Sequence, residues 1–136
     1  MLLTMETDYA LRMLRCLSDG KKYSMGDIVK REFIPKQFAY KVLGKISRAG
    51  LVRVSRGTNG GYRLARELSE ISLYDLMCIV EQNKQLISCM DPDYECQFRR
   101  TNGYCRVHNN LAVIEKKIED SLKTYMIRDI LNNRII

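Results

Sequence analysis

Three cysteines and the single histidine of the chain fall close together, as Cys89, Cys96, Cys105 and His108, in the spacing C-x6-C-x8-C-x2-H. Thiolates are soft ligands and imidazole a borderline one, so this donor set suits an iron–sulfur cluster or a tetrahedral zinc site. The spacing is wider than that of paired C-x2-C knuckles. It also fits a bare thiol switch, in which one cysteine would carry a lowered pKa. His108 has an ordinary alternative as a solvent-facing helix residue, and the C-x2-H register favours ligation over it. The other two cysteines differ in setting. Cys16 and Cys78 lie inside apolar helical patterns, where a thiol behaves as a small hydrophobe. Five cysteines are an odd number, and the opening Met1-Leu2-Leu3-Thr4-Met5-Glu6 has no basic, apolar leader pattern. Both points argue against a disulfide framework and for a reducing, cytoplasmic location.

The elements that would position these residues differ in charge. The chain of 136 residues carries a net charge of +7. Residues 1–70 hold 14 Lys/Arg against 7 Asp/Glu, whereas residues 71–136 hold 9 of each. Between residues 28 and 66 the ratio rises to 10 basic residues against 1 acidic. Basic residues spread over several short elements suit a grooved polyanion better than a membrane surface, so double-stranded DNA is the expected partner. No apolar run approaches the roughly 20 residues that span a bilayer. One histidine, no paired carboxylates and no phosphate-binding loop provide no acid–base set, so neither an enzyme nor a small-molecule substrate is expected.

The periodicity predicts a mainly α fold with one small β-hairpin. Ala10, Met13, Leu14 and Leu17 recur at helical spacing from Asp8 to Leu17, with Arg12 and Arg15 outward and Asp8 placed to act as the N-cap. Ser24 with Asp27 starts a second helix. Pro35 suits the first position of a third, running to about Ala49 with Phe38, Val42, Leu43 and Ile46 inward and Gly50 as its stop. Leu51–Val54 and Tyr62–Leu64 alternate as strands around the turn residues 55–61. Three helices and a glycine-rich basic hairpin describe a winged helix-turn-helix domain over residues 1–70. Lys36, Gln37, Tyr40 and Lys41 face the major groove, and Arg56, Thr58 and Asn59 form the wing contact. Arg63 and Arg66 flank the hairpin as solvated charge, and Tyr62 packs beneath it.

Residues 71–136 form the second expected unit. A helix from Ser69 to Glu81 leads into a cofactor loop, 82–108, which holds the cysteines. Val107, Leu111, Ile114, Ile118 and Leu122 then mark one face of a long amphipathic helix, with Glu115 among the residues opposite. That stripe has two candidate covers, the chain's own first helix or a second copy. A homodimer is favoured because it would set two recognition helices one DNA turn apart. A last helix, Thr124–Asn132, folds back onto the core.

The stretches Asp8-Tyr9-Ala10-Leu11-Arg12, Leu43-Gly44-Lys45-Ile46-Ser47-Arg48-Ala49-Gly50-Leu51-Val52 and Ser55-Arg56-Gly57 through Gly60-Gly61-Tyr62-Arg63-Leu64-Ala65 resemble the signature of the Rrf family of winged-helix regulators. The resemblance implies a dimeric bacterial transcription factor. The triad position resembles that of the iron–sulfur-binding IscR and NsrR types. On that resemblance Cys89, Cys96 and Cys105 are thiolate ligands. The fourth ligand is His108 in the IscR-like manner, or Asp8 from the other subunit in the NsrR-like manner. The intervals x6 and x8 exceed the usual pattern, so both 2Fe-2S and 4Fe-4S remain open. CymR-like members lack the triad and act through a partner protein. They are expected to be similar only in the DNA-binding half.

Overall fold

A computed structural model describes residues 3–133, so Met1 and Leu2 of the opening segment and residues 134–136 of the second unit lie outside the described residues. The first helix, α1 (Met5–Cys16), begins earlier than the sequence suggests, because Thr4 is its N-cap and accepts the Glu6 N–H at 3.2 Å. Thr4 is extended and offers its hydroxyl one turn before Asp8. Asp8 is therefore not a cap. It lies inside the helix, 2.9 Å from the Arg12 guanidinium. Arg15 is also engaged, since it lies over the buried Glu32 carboxylate.

Helix α2 (Met25–Glu32) starts at the expected Ser24, whose side chain and that of Asp27 satisfy each other's backbone N–H groups. It ends at Phe33, whose φ of 54° and ψ of 47° are left-handed. A bulky L-residue adopts that conformation at a cost of roughly 1–2 kcal/mol. Helix α3 (Lys36–Arg48) follows, with Pro35 at the N-cap rather than at the first helical position. Ala39, Val42, Leu43 and Ile46 are buried, while Phe38, expected inward, is 40% exposed. The inward face is centred on the 39–42–43–46 set. Phe38 is rotated about 100° from Ala39 and reaches only the rim, where its ring lies 5.7 Å from that of Tyr9. Gly50, at φ 81°, closes the helix.

Strands β1 (Val52–Ser55) and β2 (Gly61–Leu64) pair antiparallel, with Val52 opposite Leu64 and Ser55 opposite Gly61. β1 is shifted by one residue from the predicted span, and β2 starts one residue early but ends at Leu64 as expected. The wing is also tied to the α1–α2 connection, because Tyr23 and Tyr62 exchange backbone hydrogen bonds of 2.9 and 2.7 Å. Gly61 permits that approach, since a Cβ there would stand 2.6 Å from the Tyr23 carbonyl oxygen. Tyr62 packs against the core, as expected.

A 3-10 turn, Leu68–Glu70, precedes α4 (Leu73–Val80). The predicted start at Ser69 is too early. Ser72 and Asp75 form a second capping box, and Ile71 before them is extended. The extended residue lets the Ile71 carbonyl accept the Ile127 N–H at 2.9 Å, while Leu73 N–H donates to the Tyr125 carbonyl at 2.8 Å. These bonds dock the last helix, α7 (Ile127–Leu131), and Ile127 is fully buried. The segment read as a loop contains a 3-10 turn, Ser88–Met90, and helix α5 (Gln97–Asn102), and leads to the 19-residue α6 (Arg106–Thr124). One apolar cluster runs from Tyr9, Leu14, Ile28 and Ile46 through Leu68, Ile71, Leu76 and Val80 to Ile127, so the core is continuous across residue 70. Among the described residues, no helix is long and apolar enough to cross a membrane.

Candidate nucleic-acid interface and metal centre

Burying one face of α3 turns Lys36, Gln37, Tyr40 and Lys41 to the surface, where all four are exposed. The Lys36 ammonium lies 6.0 Å from the Tyr40 ring centroid, the outer limit of a cation–π contact. Arg56, Thr58 and Asn59 are exposed at the wing tip, which closes through a 2.9 Å hydrogen bond from Gly60 N–H to the Gly57 carbonyl. Gly57 at φ 99° supplies the left-handed residue this turn requires. Helix and wing tip therefore present cations, amides and hydroxyls on adjoining elements, the donor types that duplex DNA accepts.

Lys41 is not a free cation. Its ammonium lies 2.5 Å from the Glu6 carboxylate, whose second oxygen is bonded to Lys45. Lys45 also donates to the Val80 carbonyl at 2.6 Å. Partial burial acts to raise the Glu6 pKa. The hydrogen bonds and charges of the two lysines outweigh it, and Glu6 is held below the usual glutamate range. Next to Val80, the buried Glu81 accepts from Thr4 N–H at 3.1 Å, Thr4 Oγ1 at 2.7 Å and Thr7 Oγ1 at 2.5 Å. The C-terminus of α4 thus grips both the first turn of α1 and the recognition helix. These residues escape sequence reasoning because Glu81 and Thr4 are 77 positions apart. The only available signal was an acidic residue at the end of an apolar helix.

From Glu81 the chain runs directly into the cysteine segment. Cys89 sits in the 3-10 turn, Cys96 is the N-cap of α5 and Cys105 is the N-cap of α6. All three are free thiols of intermediate burial. The Cys105 sulfur accepts the His108 N–H at 3.4 Å. His108 Nδ1 is buried and has no hydrogen-bond partner. An imidazole nitrogen is a common metal donor. Among the described residues, no group of three or more His, Cys, Asp or Glu side chains stands close enough to hold a metal in this arrangement. The donor chemistry fits a soft metal site, then, while the sulfurs stand apart. Asp8 is held on α1 by Arg12. Cys16 lies in the apolar core, where burial pushes its thiol up. Cys78 is only half-buried, less enclosed than its apolar pattern suggests.

Helix α6 has no buried residue. It packs against α4 and the 3-10 turn at Ser88–Met90, so its intramolecular cover is chiefly α4 and not α1. Glu115, expected to face solvent, accepts the Leu86 N–H and is half-buried. Leu111, Ile118 and Leu122 are partly covered, but Val107 and Ile114 remain 65% and 47% exposed.

Residues 3–133 match the family Rrf2, described as iron-dependent transcriptional regulator. The chain belongs to the Rrf2 family. Its members are DNA-binding regulators of transcription and not enzymes. Protein aau3 of Rhizobium meliloti is 40% identical over 93 residues, or 67% of this chain and 60% of that protein. The chain therefore spans under two thirds of that relative. The regulator NsrR of Shouchella clausii is 29% identical over 98% of this chain and 90% of its own length. Among solved structures, IscR of T. potens superposes with a TM-score of 0.73 at 20% identity, covering 98% of this chain and 88% of that one. CymR of B. subtilis superposes with a TM-score of 0.71 at 18% identity, covering 98% of both chains. The Rrf2 fold thus extends to CymR over both halves, which corrects the expectation that the likeness stops at the DNA-binding half.

Proposed function

We propose that this Rrf2 protein is a cytoplasmic homodimeric repressor whose operator affinity responds to an iron–sulfur cluster held by Cys89, Cys96, Cys105 and His108. The observation that carries this reading is the bare, buried Nδ1 of His108, one helical turn from Cys105 at the start of α6. Asp8, the alternative fourth ligand, would first have to leave Arg12. Bound there, a cluster would supply a centre whose oxidation, nitrosylation or loss changes local charge and ligation. A cluster there would require the three sulfurs of the 82–108 segment, which do not form a ligand group in this arrangement, to be brought together. That segment begins at Glu81, which holds α1, and follows Val80, which holds Lys45 of the recognition helix. A change in the segment would therefore reach α1 through Glu81 and α3 through Val80.

The test is an anaerobic absorption spectrum with iron, sulfide and zinc quantified, together with duplex binding before and after air exposure. Iron with acid-labile sulfide supports the reading. Zinc without sulfide would make the site structural, and affinity that tracks oxidant with neither metal would indicate a thiol switch.

Two further results are expected. Arg56→Ala should weaken operator binding and reduce the slope of log affinity against log salt by about one, as for a lost phosphate or minor-groove cation. Unchanged affinity at fixed salt would remove Arg56 from the interface. Ile114→Lys should convert a dimer to a monomer in sedimentation velocity, because a charge would enter the exposed stripe of α6. An unaltered dimer would place the subunit contact elsewhere.

A further inference from the structure

Phe33 is 85% exposed, more than any other large hydrophobic side chain among the described residues. It is also one of two non-glycine residues there with positive φ, the other being Asn133, a type that tolerates this conformation. The sequence thus places a large ring where glycine would be unstrained, and the left-handed backbone carries that ring away from the core. Strain and exposure at one residue point to a function, since neither contributes to folding. The position narrows the choice. Phe33 terminates α2 and stands three residues before Lys36, the first residue of the recognition helix. Lys30, Arg31, Lys36 and Gln37 around it are all exposed, and Arg31 lies 4.8 Å over the Tyr23 ring. Its nearest charged neighbours in sequence are therefore cationic, apart from Glu32, which is buried and paired with Arg15. An exposed apolar ring flanked in sequence by exposed cations matches a surface that is anionic outside and apolar in patches within. Duplex DNA has that character, with phosphates flanking deoxyribose carbons and thymine methyl groups.

We propose that Phe33 is a DNA-contacting residue, its ring packing on deoxyribose and thymine-methyl carbons beside the major groove entered by α3. This rests on the DNA-binding reading of α3 and the wing, and adds an apolar contact to their polar ones. Such a contact releases no counterions, so its loss should reduce affinity without altering the salt dependence.

The experiment uses the full chain and, as probe, the duplex that wild-type protein selects from a randomised DNA library. Phe33→Gly should bind that duplex about ten-fold more weakly, the scale of one apolar side chain's burial. Its salt slope should match wild type, and its Tm should rise by a few degrees because the backbone strain is gone. Phe33→Asn, which also tolerates the left-handed backbone, should show the same loss, and Phe33→Tyr should bind nearly as wild type. The proposal is overturned if Phe33→Gly binds within two-fold of wild type, if its salt slope falls, or if its oligomeric state changes in place of its affinity. Failure of wild-type protein to enrich any duplex would instead overturn the DNA-binding reading itself, and this proposal with it.

Discussion

Cys96→Ala protein purified without oxygen is expected to be colourless, with iron and acid-labile sulfide reduced to background. The segment offers three thiols, and alanine at the middle one leaves one sulfur before α5 and one after it. Neither Cys16, raised by burial inside the core, nor Cys78 on α4 stands in the segment to replace it. Folding should be unaffected, because Cys96 is only half-buried and lies outside the apolar cluster. Far-ultraviolet circular dichroism and Tm of the metal-free variant and metal-free wild type should therefore coincide. Duplex affinity should settle at one value, insensitive to air. The fourth position separates in the same experiment. His108→Ala should shift or abolish the visible spectrum, since it removes the proposed fourth ligand, whereas Asp8→Ala should leave it intact, since Asp8 is paired with Arg12. A normal chromophore in Cys96→Ala would show that the triad is not the site.

The second large effect is on stability. Glu81→Ala removes one carboxylate that three donors share, and leaves Thr7, 1% exposed, with an unpaired hydroxyl. A hydrogen bond to a charged acceptor contributes about 1.5–3 kcal/mol, but Thr4 is exposed and recovers part of its share from water. The net loss should be roughly 2–4 kcal/mol, or a fall in Tm on the order of ten degrees for a domain of this size. Glu81→Gln keeps an acceptor oxygen and should recover about half of that loss. Denaturant unfolding of the metal-free chain measures both. A loss below about 0.5 kcal/mol for the alanine variant would mean that this grip is replaced by solvent, and would remove one of the two links between the cysteine segment and the helices.

The contrast between Ser24 and Glu81 shows where sequence reading succeeds. Ser24 and Asp27 satisfy each other three residues apart, and Gly50 ends α3 by its own backbone freedom, so both are legible locally. The wing is legible for the same reason, through turn residues between two alternating stretches. Misplacements occur where two local signals compete. Asp8 is a good cap type, but Thr4 precedes it with a free hydroxyl in extended backbone. Phe38 is apolar at nearly the right spacing, but Ala39 holds the centre of the inward face. The start of α4 moves from Ser69 to Leu73 because Ile71 must stay extended to bond Ile127, a demand from the far end of the chain.

The interface and the donor set follow from residue type and near-neighbour spacing. A helical repeat selects the outward residues of α3, glycines shape the wing tip, and C-x6-C-x8-C-x2-H gathers soft ligands into one segment whatever the surrounding packing. The links between these parts do not follow, because they join residues separated by most of the chain. Lys45 binds Glu6 and Val80, and Glu81 binds Thr4 and Thr7, only after α1, α3 and α4 share one core. Hydrogen bonds act over about 3 Å in space, and periodicity along a sequence carries no information about which distant partners come within that reach. Sequence alone thus locates a candidate DNA-contacting surface and a candidate ligand segment. Packing alone makes them neighbours, through the last residues of α4.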